Sequence, residues 1–332
     1  MMKRARLLRQ QNLGAALLSA MLTVTLVATF AAAALWQQWR SVEVEIAERG
    51  RVQVAWLLVG ALDWSRLILR IDGRAATTDH LAEPWAVALE ESRLSTFLAA
   101  DKNNTGGLTA EEQVDAFLSG GMVDAQSKLN VFNLINTGQA SAPDVAAFKK
   151  LFELLNLPAP ELEDFVSKLK DALQTNAPAT APLMPQRVQQ LTWLGLKPGT
   201  LLKLTPYITL LPERTTVNIN TAAAEVIYAS VPGLGLSDAK LTVSSRESAH
   251  FPSIADAATK VPALNGKLTD TQHSVATRFF EVSGRIRLEQ TVVEEQSLVH
   301  RDTQSNVKTV WRERAVVAAA ADIVSNNSVA KP

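Results

Sequence analysis

The chain reads as an α+β protein in which one very long N-terminal helix packs on a small sheet and a largely helical segment is inserted between the strands. Three observations predict this. An uncharged run of 22 residues, 15–36, passes without a break into a stretch whose apolar residues step by three and four to about residue 70. Period-two alternation with β-branched residues marks candidate strands at 121–129, 279–293 and 307–314. Between the first and second of these, residues 140–275 read as short helices punctuated by Pro and Gly.

The run from Ala15 to Trp36 holds only Ala, Leu, Ser, Met, Thr, Val, Phe and Trp. As a helix at about 1.5 Å per residue it is roughly 33 Å long, enough to cross a hydrocarbon core of about 30 Å. Lys3, Arg4, Arg6 and Arg9 precede it with no acidic residue among them, so the positive-inside bias keeps the N-terminus in the cytoplasm and sends the rest across. Two processing schemes compete. Ala32 and Ala34 form an A-x-A-like site for a secretory signal peptidase, which would release a soluble protein, but the apolar run exceeds the roughly 7–15 residues of a secretory h-region. Alternatively the cut falls between Gly14 and Ala15, before the apolar run, and the helix stays as an anchor.

Beyond the anchor, Trp36, Trp39, Val42, Ile46, Leu57, Ala61, Trp64 and Ile68 recur at helical steps among Arg and Glu, so the second half of the helix is expected to pack on the sheet. In the helical segment, 144–155 and 161–173 read as two helices, followed by an Ala/Pro/Thr-rich linker at 176–185. Hydrophobic residues make up 47% of the chain, enough for one or two cores outside the anchor. Lys plus Arg equals Asp plus Glu, and without the four basic residues of the leader the remainder carries about −4, so bulk charge does not recruit nucleic acid. With no cysteine, stability in an oxidising compartment must come from packing or a bound ion.

One segment has the spacing of a calcium loop. In Asp101-Lys-Asn-Asn-Thr-Gly-Gly-Leu-Thr-Ala-Glu-Glu112, the candidate ligands are Asp101, Asn103, Thr105, the carbonyl of Gly107 and Glu112, with Gly106 at the turn position. Only two are carboxylates, which predicts weak binding. The same residues also make a polar turn before a helix N-capped by Thr109, with Glu112 closing a capping box. Both readings stand. Further on, Asn218-Ile-Asn-Thr-Ala222 and Val231-Pro-Gly-Leu-Gly235 have the look of a helix-hairpin-helix module, whose hairpin amides can hold a phosphate. A membrane-tethered DNA-binding protein of the competence type would follow. From Asn218 to Glu281, however, five basic residues face six acidic ones, so the basic footprint that phosphate binding needs is missing.

Enzymatic motifs are not found. His80, His250, His273 and His300 lie far apart, with no His-Glu-x-x-His spacing and no Gly-x-Ser-x-Gly elbow. Asp79, His80 and Glu83 beside Pro84 and Trp85 read as a hydrogen-bonded turn, and His300 as a solvated or edge residue.

A basic leader closing on Gly14, followed at once by Ala15-Ala-Leu-Leu and the apolar run, resembles the N-terminus of type IV prepilins. The resemblance implies cleavage by a prepilin peptidase on the cytoplasmic side and methylation of the new Ala15 amine. Most such proteins carry Glu at the fifth mature position, where its carboxylate meets the amine of a neighbouring subunit; here Ser19 stands there. Four further runs, 79–86, 123–135, 217–222 and 297–302, are similar to the general secretion pathway protein K family of minor pseudopilins in type II secretion systems. Ser19 agrees, since that family usually lacks the Glu.

The resemblance implies a pilin-like fold with an all-α insertion containing a helix-hairpin-helix-like (SAM-like) segment. Its expected layout is a leader at 1–14, the transmembrane half of the helix at 15–36, body at 37–135, insertion at 136–279, final strands at 280–320 and a flexible tail at 321–332. It implies a filament-tip role in which Ser19 leaves no charge for a subunit above to neutralise, in the inner membrane with the body periplasmic. The implied partners are the I and J minor pseudopilins, the major pseudopilin and the prepilin peptidase, with no nucleic acid. Relatives bind calcium in the helical domain through acid-rich elements, whereas residues 168–185 here are nearly devoid of carboxylates, so that site is not expected.

Overall fold

The computed structural model describes residues 2–94, 116–174, 181–288 and 291–318. Helix α1, Met2–Ala75, runs without interruption. The chain divides into two units, Met1–Leu57 and Leu58–Pro332. The first is helix throughout its described residues, and its apolar stretch has no protein around it: Leu18, Leu22, Val27, Phe30 and Leu35 are all exposed. By length and composition this helix can cross a membrane.

In the second unit α1 continues and buries Leu58, Leu62 and Leu69. The last two pack in one cluster with Phe280, Val282, Val299 and Val307 of the sheet. The helix therefore meets the sheet as expected, but on a different phase. Trp64 and Leu67 are exposed, and the buried row is turned by about one residue, roughly 100°, from the expected Leu57, Ala61, Trp64 and Ile68.

The sheet is antiparallel throughout, in the order β1 (Leu89–Arg93), β2 (Ala116–Asp124), β3 (Phe279–Leu288), β4 (Thr291–Arg301) and β5 (Val307–Ala318). The expected single strand over 279–293 is in fact two strands. β3 and β4 pair antiparallel from Leu288 with Thr291 to Phe279 with His300. Between the two strands the sequence has Glu289 and Gln290, neither of them a usual turn former, so it marks no break there. β2 starts earlier than expected and stops at Asp124, whose carboxylate accepts from the Gln126 amide and caps a 3₁₀ turn there. β1 was not expected at all. Its sequence, Leu-Glu-Glu-Ser-Arg, is that of an exposed edge strand and has no apolar alternation. Where β2 and β3 pair, Gly120 faces Gly284, and a side chain on Gly284 would press against Leu58 at 3.4 Å.

Between β2 and β3 the chain builds a second core from α2 (Ala142–Leu154), α3 (Ala159–Ala172), α4 (Pro198–Leu204), α5 (Ala224–Ser230), α6 (Leu236–Ser248) and α7 (Ile254–Lys260). Pro143 and Pro160 sit in the first turns of α2 and α3, where no amide bond is lost. Phe148, Leu151 and Phe152 of α2 and Leu162, Phe165 and Leu169 of α3 form one buried cluster with Leu191, Leu194, Ile227, Phe251 and Leu264. Each such side chain contributes about 1.5–3 kcal/mol by leaving water. Two parallel bridges tie the segment together, Leu129–Asn130 with Ile208–Thr209 and Val217–Asn218 with His273–Ser274.

Candidate functional site

The four sequence runs at 79–86, 123–135, 217–222 and 297–302 come together in one buried polar junction where the helical segment meets the sheet. Arg301, at the end of β4, is its centre. Its Nη2 donates to Asp79 Oδ1 and to the Thr277 carbonyl at 3.0 Å, and its Nη1 donates to Asp72 Oδ2 at 2.9 Å. Gly73 makes room for it, because a Cβ there would lie 2.8 Å from Arg301 Cδ. Asp79 is buried; its Oδ2 accepts from the Thr277 amide at 2.8 Å, and its carbonyl accepts from Asn218 Nδ2 at 3.0 Å.

Asn218 carries the network to β2. Its Nδ2 also donates to Asp124 Oδ2 at 2.9 Å, the oxygen that accepts from Thr221 Oγ1 as well. Asn220 then bonds both the amide and the carbonyl of Phe251 at 2.9 Å. Nearby, Glu83 Oε2 accepts from Trp85 Nε1 at 2.6 Å and from the His80 amide at 3.0 Å. Trp85 is fully buried, edge-on to Phe280 at 5.1 Å. In the run 123–135, Asn130 and Asn133 clamp the 211–215 segment; Asn133 bonds both the amide and the carbonyl of Thr215, at 3.0 and 2.7 Å.

This concentration of carboxyls in little water has electrostatic consequences. Burial, then the neighbouring Glu83, pushes the Asp72 carboxyl up to about 6 against the opposing pull of Arg301; Asp79 adds to the rise. Burial likewise pushes Asp124 up to about 6, although Thr221, Thr277, Gln126 and Asn218 all hydrogen-bond to it, and it raises Glu83. Asp72, Asp79 and Glu83 bring oxygens within 4.8 Å of one another. Arg301 bridges the first two, and Trp85 with the His80 amide holds the third, so the guanidinium stands where a cation would. The arrangement is an anchoring joint that fixes the insertion on the sheet.

The anchor helix has its own polar bookkeeping. Ser19 Oγ donates to the Ala16 carbonyl at 2.9 Å, and Thr23, Thr25 and Thr29 bond the carbonyls three residues back at 2.8–2.9 Å. Every hydroxyl of the apolar stretch is thus satisfied within the helix, as a lipid environment requires.

Two adjoining segments, 127–213 and 217–276, match family models that are both described as type II secretion system (T2SS), protein K. Over these two segments the chain is similar to the type II secretion system protein K family. It is 24% identical over 309 residues to the type II secretion system protein K of Pseudomonas aeruginosa, covering 84% of this chain and 86% of that one. The fold is similar, with a TM-score of 0.63 at 17% identity, to a chain in the crystal structure of the GspK-GspI-GspJ complex from the enterotoxigenic Escherichia coli type 2 secretion system; the match covers 81% of this chain and 98% of that chain.

In this protein K relative the helix-hairpin-helix-like segment is occupied with itself. Asn218, Asn220 and Thr221 are buried in the junction. Asp238 lies in the first turn of α6, its Oδ2 3.4 Å from where a Cβ on Gly235 would stand, so the start of that helix already has an anion beside it. The lysines near the hairpin bind its carbonyls: Lys267 donates to Gly233 at 3.0 Å and Lys150 to Val231 at 2.8 Å.

Of the other expected site residues, Gly14 falls within α1, and Ala15 and Ser19 lie exposed on it. Asp101, Asn103, Thr105, Gly107 and Glu112 lie outside the described residues. The 79–83 segment is a hydrogen-bonded turn, and its His80 ring stacks on His250 at 3.8 Å. His300 is not an edge residue: it sits on β4, between β3 and β5, with its ring 4.6 Å from that of Phe279. In the sequence Arg301 stands out only as part of the run 297–302. Its one local signal is strand phase, since Glu295, Ser297, Val299 and Arg301 alternate on one buried face of β4.

Proposed function

We propose that the protein is a minor pseudopilin at the tip of a type II secretion pseudopilus, where it starts and caps the filament for export of folded proteins. The observation that carries this reading is a protein K body on a continuous helix whose apolar stretch, 15–36, is exposed and uncharged, with Ser19 where filament subunits otherwise need a carboxylate. A carboxylate in an apolar bundle is costly unless a neighbour pairs with it. Ser19, bonded to its own helix, asks for no subunit above it.

In this mechanism the helix is stored in the inner membrane with its basic end in the cytoplasm and the body in the periplasm. It is then drawn into a core of packed helices, while the insertion, too broad to stack, ends the growing fibre. The I and J minor pseudopilins are the proposed neighbours, since GspK in the similar crystal structure is in complex with GspI and GspJ. The major pseudopilin follows below, and a prepilin peptidase processes the chain at Gly14. The role is structural rather than catalytic, in keeping with a family that is a component of a secretion system. Affinity purification of the tagged full-length chain from membranes that also express the I and J proteins tests it. Recovery of both in one complex is expected; recovery of neither would overturn the reading.

A further inference from the structure

A cleft of about 340 Å³ opens between the turn at 80–82 and the end of α6, with His80, Ala82, Asn220, Arg246, Glu247 and His250 on its walls. Arg246 is the unusual member. It is only 8% exposed, and its Nη1 donates to the Ile219 and Ala222 carbonyls at 2.7 and 2.6 Å. Its Nε is buried and finds no acceptor among the described residues, and none of their carboxylates forms an ion pair with it. Burial pulls the guanidinium down to about 10. A planar guanidinium at the wall of an open cleft, with no carboxylate ion-paired to it among the described residues, matches the geometry of oxyanion recognition.

Two imidazoles stand beside Arg246 on the wall of the cleft. Their rings stack 3.8 Å apart, 10° from parallel, and His80 Nδ1 accepts from the Ala82 amide at 3.3 Å, which leaves Nε2 as the donor of that ring. Burial, then the neighbouring His80, lowers the His250 imidazole below its ordinary value, with Lys260 acting in the same sense and Glu83 against it. Lys260 bonds the carbonyls of Ala249 and His250 at 3.4 and 3.5 Å. Two acids oppose an anion here: Glu83, which accepts from Trp85 and the His80 amide and whose Oε1 lies 3.8 Å from His80 Nε2, and Glu247, exposed to solvent.

We propose that this cleft is an anion site for an oxyanion, either a tetrahedral phosphate-type group or a carboxylate, with Arg246 as the principal donor and His80 and His250 beside it. A bound anion favours the charged form of His250, so binding takes up a proton and tightens as pH falls.

Calorimetric titration of the full-length chain in detergent micelles tests this. One arm uses inorganic sulfate, whose charge is fixed from about pH 6 to about pH 8, and the other N-acetylglycine, which carries a single carboxylate. One site is expected, tighter at the lower pH. Arg246→Gln should weaken it by about tenfold or more, and His250→Asn by a few-fold with loss of part of the pH dependence. His250 is exposed and makes no side-chain hydrogen bond among the described residues, so His250→Asn decides the matter should Arg246→Gln fail to fold. Binding of sulfate alone identifies a tetrahedral ligand, and binding of N-acetylglycine alone a polypeptide or metabolite carboxylate; both arms support the site. No heat with either probe, or heat unchanged in the folded variants, would overturn it.

Discussion

Asp79 and Arg301 stand 222 positions apart in the chain and share a buried ion pair. It ties the turn that follows α1 to the last residue of β4, and through Asp72 it grips α1 itself. Removing one partner of such a pair leaves the other charged and dry, at a cost of about 3–5 kcal/mol. Arg301→Ala or Asp79→Ala is therefore expected to lower the unfolding free energy by about that much in urea titrations. Glu281→Ala, which breaks the half-exposed Lys128–Glu281 pair at 3.3 Å, should change it by less than about 1 kcal/mol. Equal effects from the two would mean that the junction does not hold the fold together.

The two raised carboxyls predict a pH dependence with a definite sign. Asp72 and Asp124 titrate near 6 in the folded chain, against about 3.9 when unfolded. Between about pH 4 and pH 6 the folded state keeps protons that the unfolded state has released, so these groups make stability fall as pH rises through that window, with the full penalty present above it. Other groups titrate in the opposite sense, such as Asp302, whose carboxyl is lowered by the Asn306 amide. The clean measurement is thus a difference. Asp72→Asn should gain stability relative to the parent from about pH 4 to about pH 6 in parallel denaturation series, and a flat difference would show that Arg301 outweighs burial.

What could be read from the sequence and what could not divide along physical lines. The apolar run 15–36 and the short amphipathic helices follow from local periodicity, which is why α2 and α3 lie within two residues of their expected bounds. The buried face of α1 was displaced because Trp64 is apolar but exposed, and a residue's type does not say which way the helix is turned. The sequence between β3 and β4 holds no usual turn former, and β1 carries no apolar alternation. At the junction the runs themselves were visible. Their convergence was not, because Asp79, Asp124, Asn218 and Arg301 meet only through the tertiary fold, and no local pattern encodes a partner more than two hundred residues away.

Gly120 and Gly199 offer opposite outcomes for the same substitution. Gly120 lies on β2 opposite Gly284, and a Cβ there would collide with the Ser283 carbonyl, a backbone atom that cannot swing aside. Gly120→Ala should cost about 1–3 kcal/mol through displacement of β2 from β3. Gly199 sits in α4 with nothing within 4 Å of the position a Cβ would take. There alanine is the better helix former, and Gly199→Ala should stabilise by about 0.5–1 kcal/mol. Thermal melts of the two variants check the pair, and a Gly120→Ala melt at or above that of the parent would refute the close packing of β2 on β3.

The proposed pseudopilin role makes its sharpest demand on the N-terminus. A filament subunit in this role must keep the 15–36 helix, and the proposed cut falls before it, between Gly14 and Ala15. Edman or mass-spectrometric sequencing of the chain from cells with an active prepilin peptidase should give Ala15 first, and Gly14→Val should leave the leader in place. The hydroxyls of Ser19, Thr23, Thr25 and Thr29 are bonded within the helix, so nothing in that stretch penalises its retention in lipid. Ser19→Glu then separates a tip subunit from a shaft subunit. It adds a carboxylate that is stable in an apolar bundle only beside the amine of another chain, so the variant should be found along the fibre as well as at its end. A mature chain that begins after Ala34 would have no helix to place in the filament, and the proposed role could not stand.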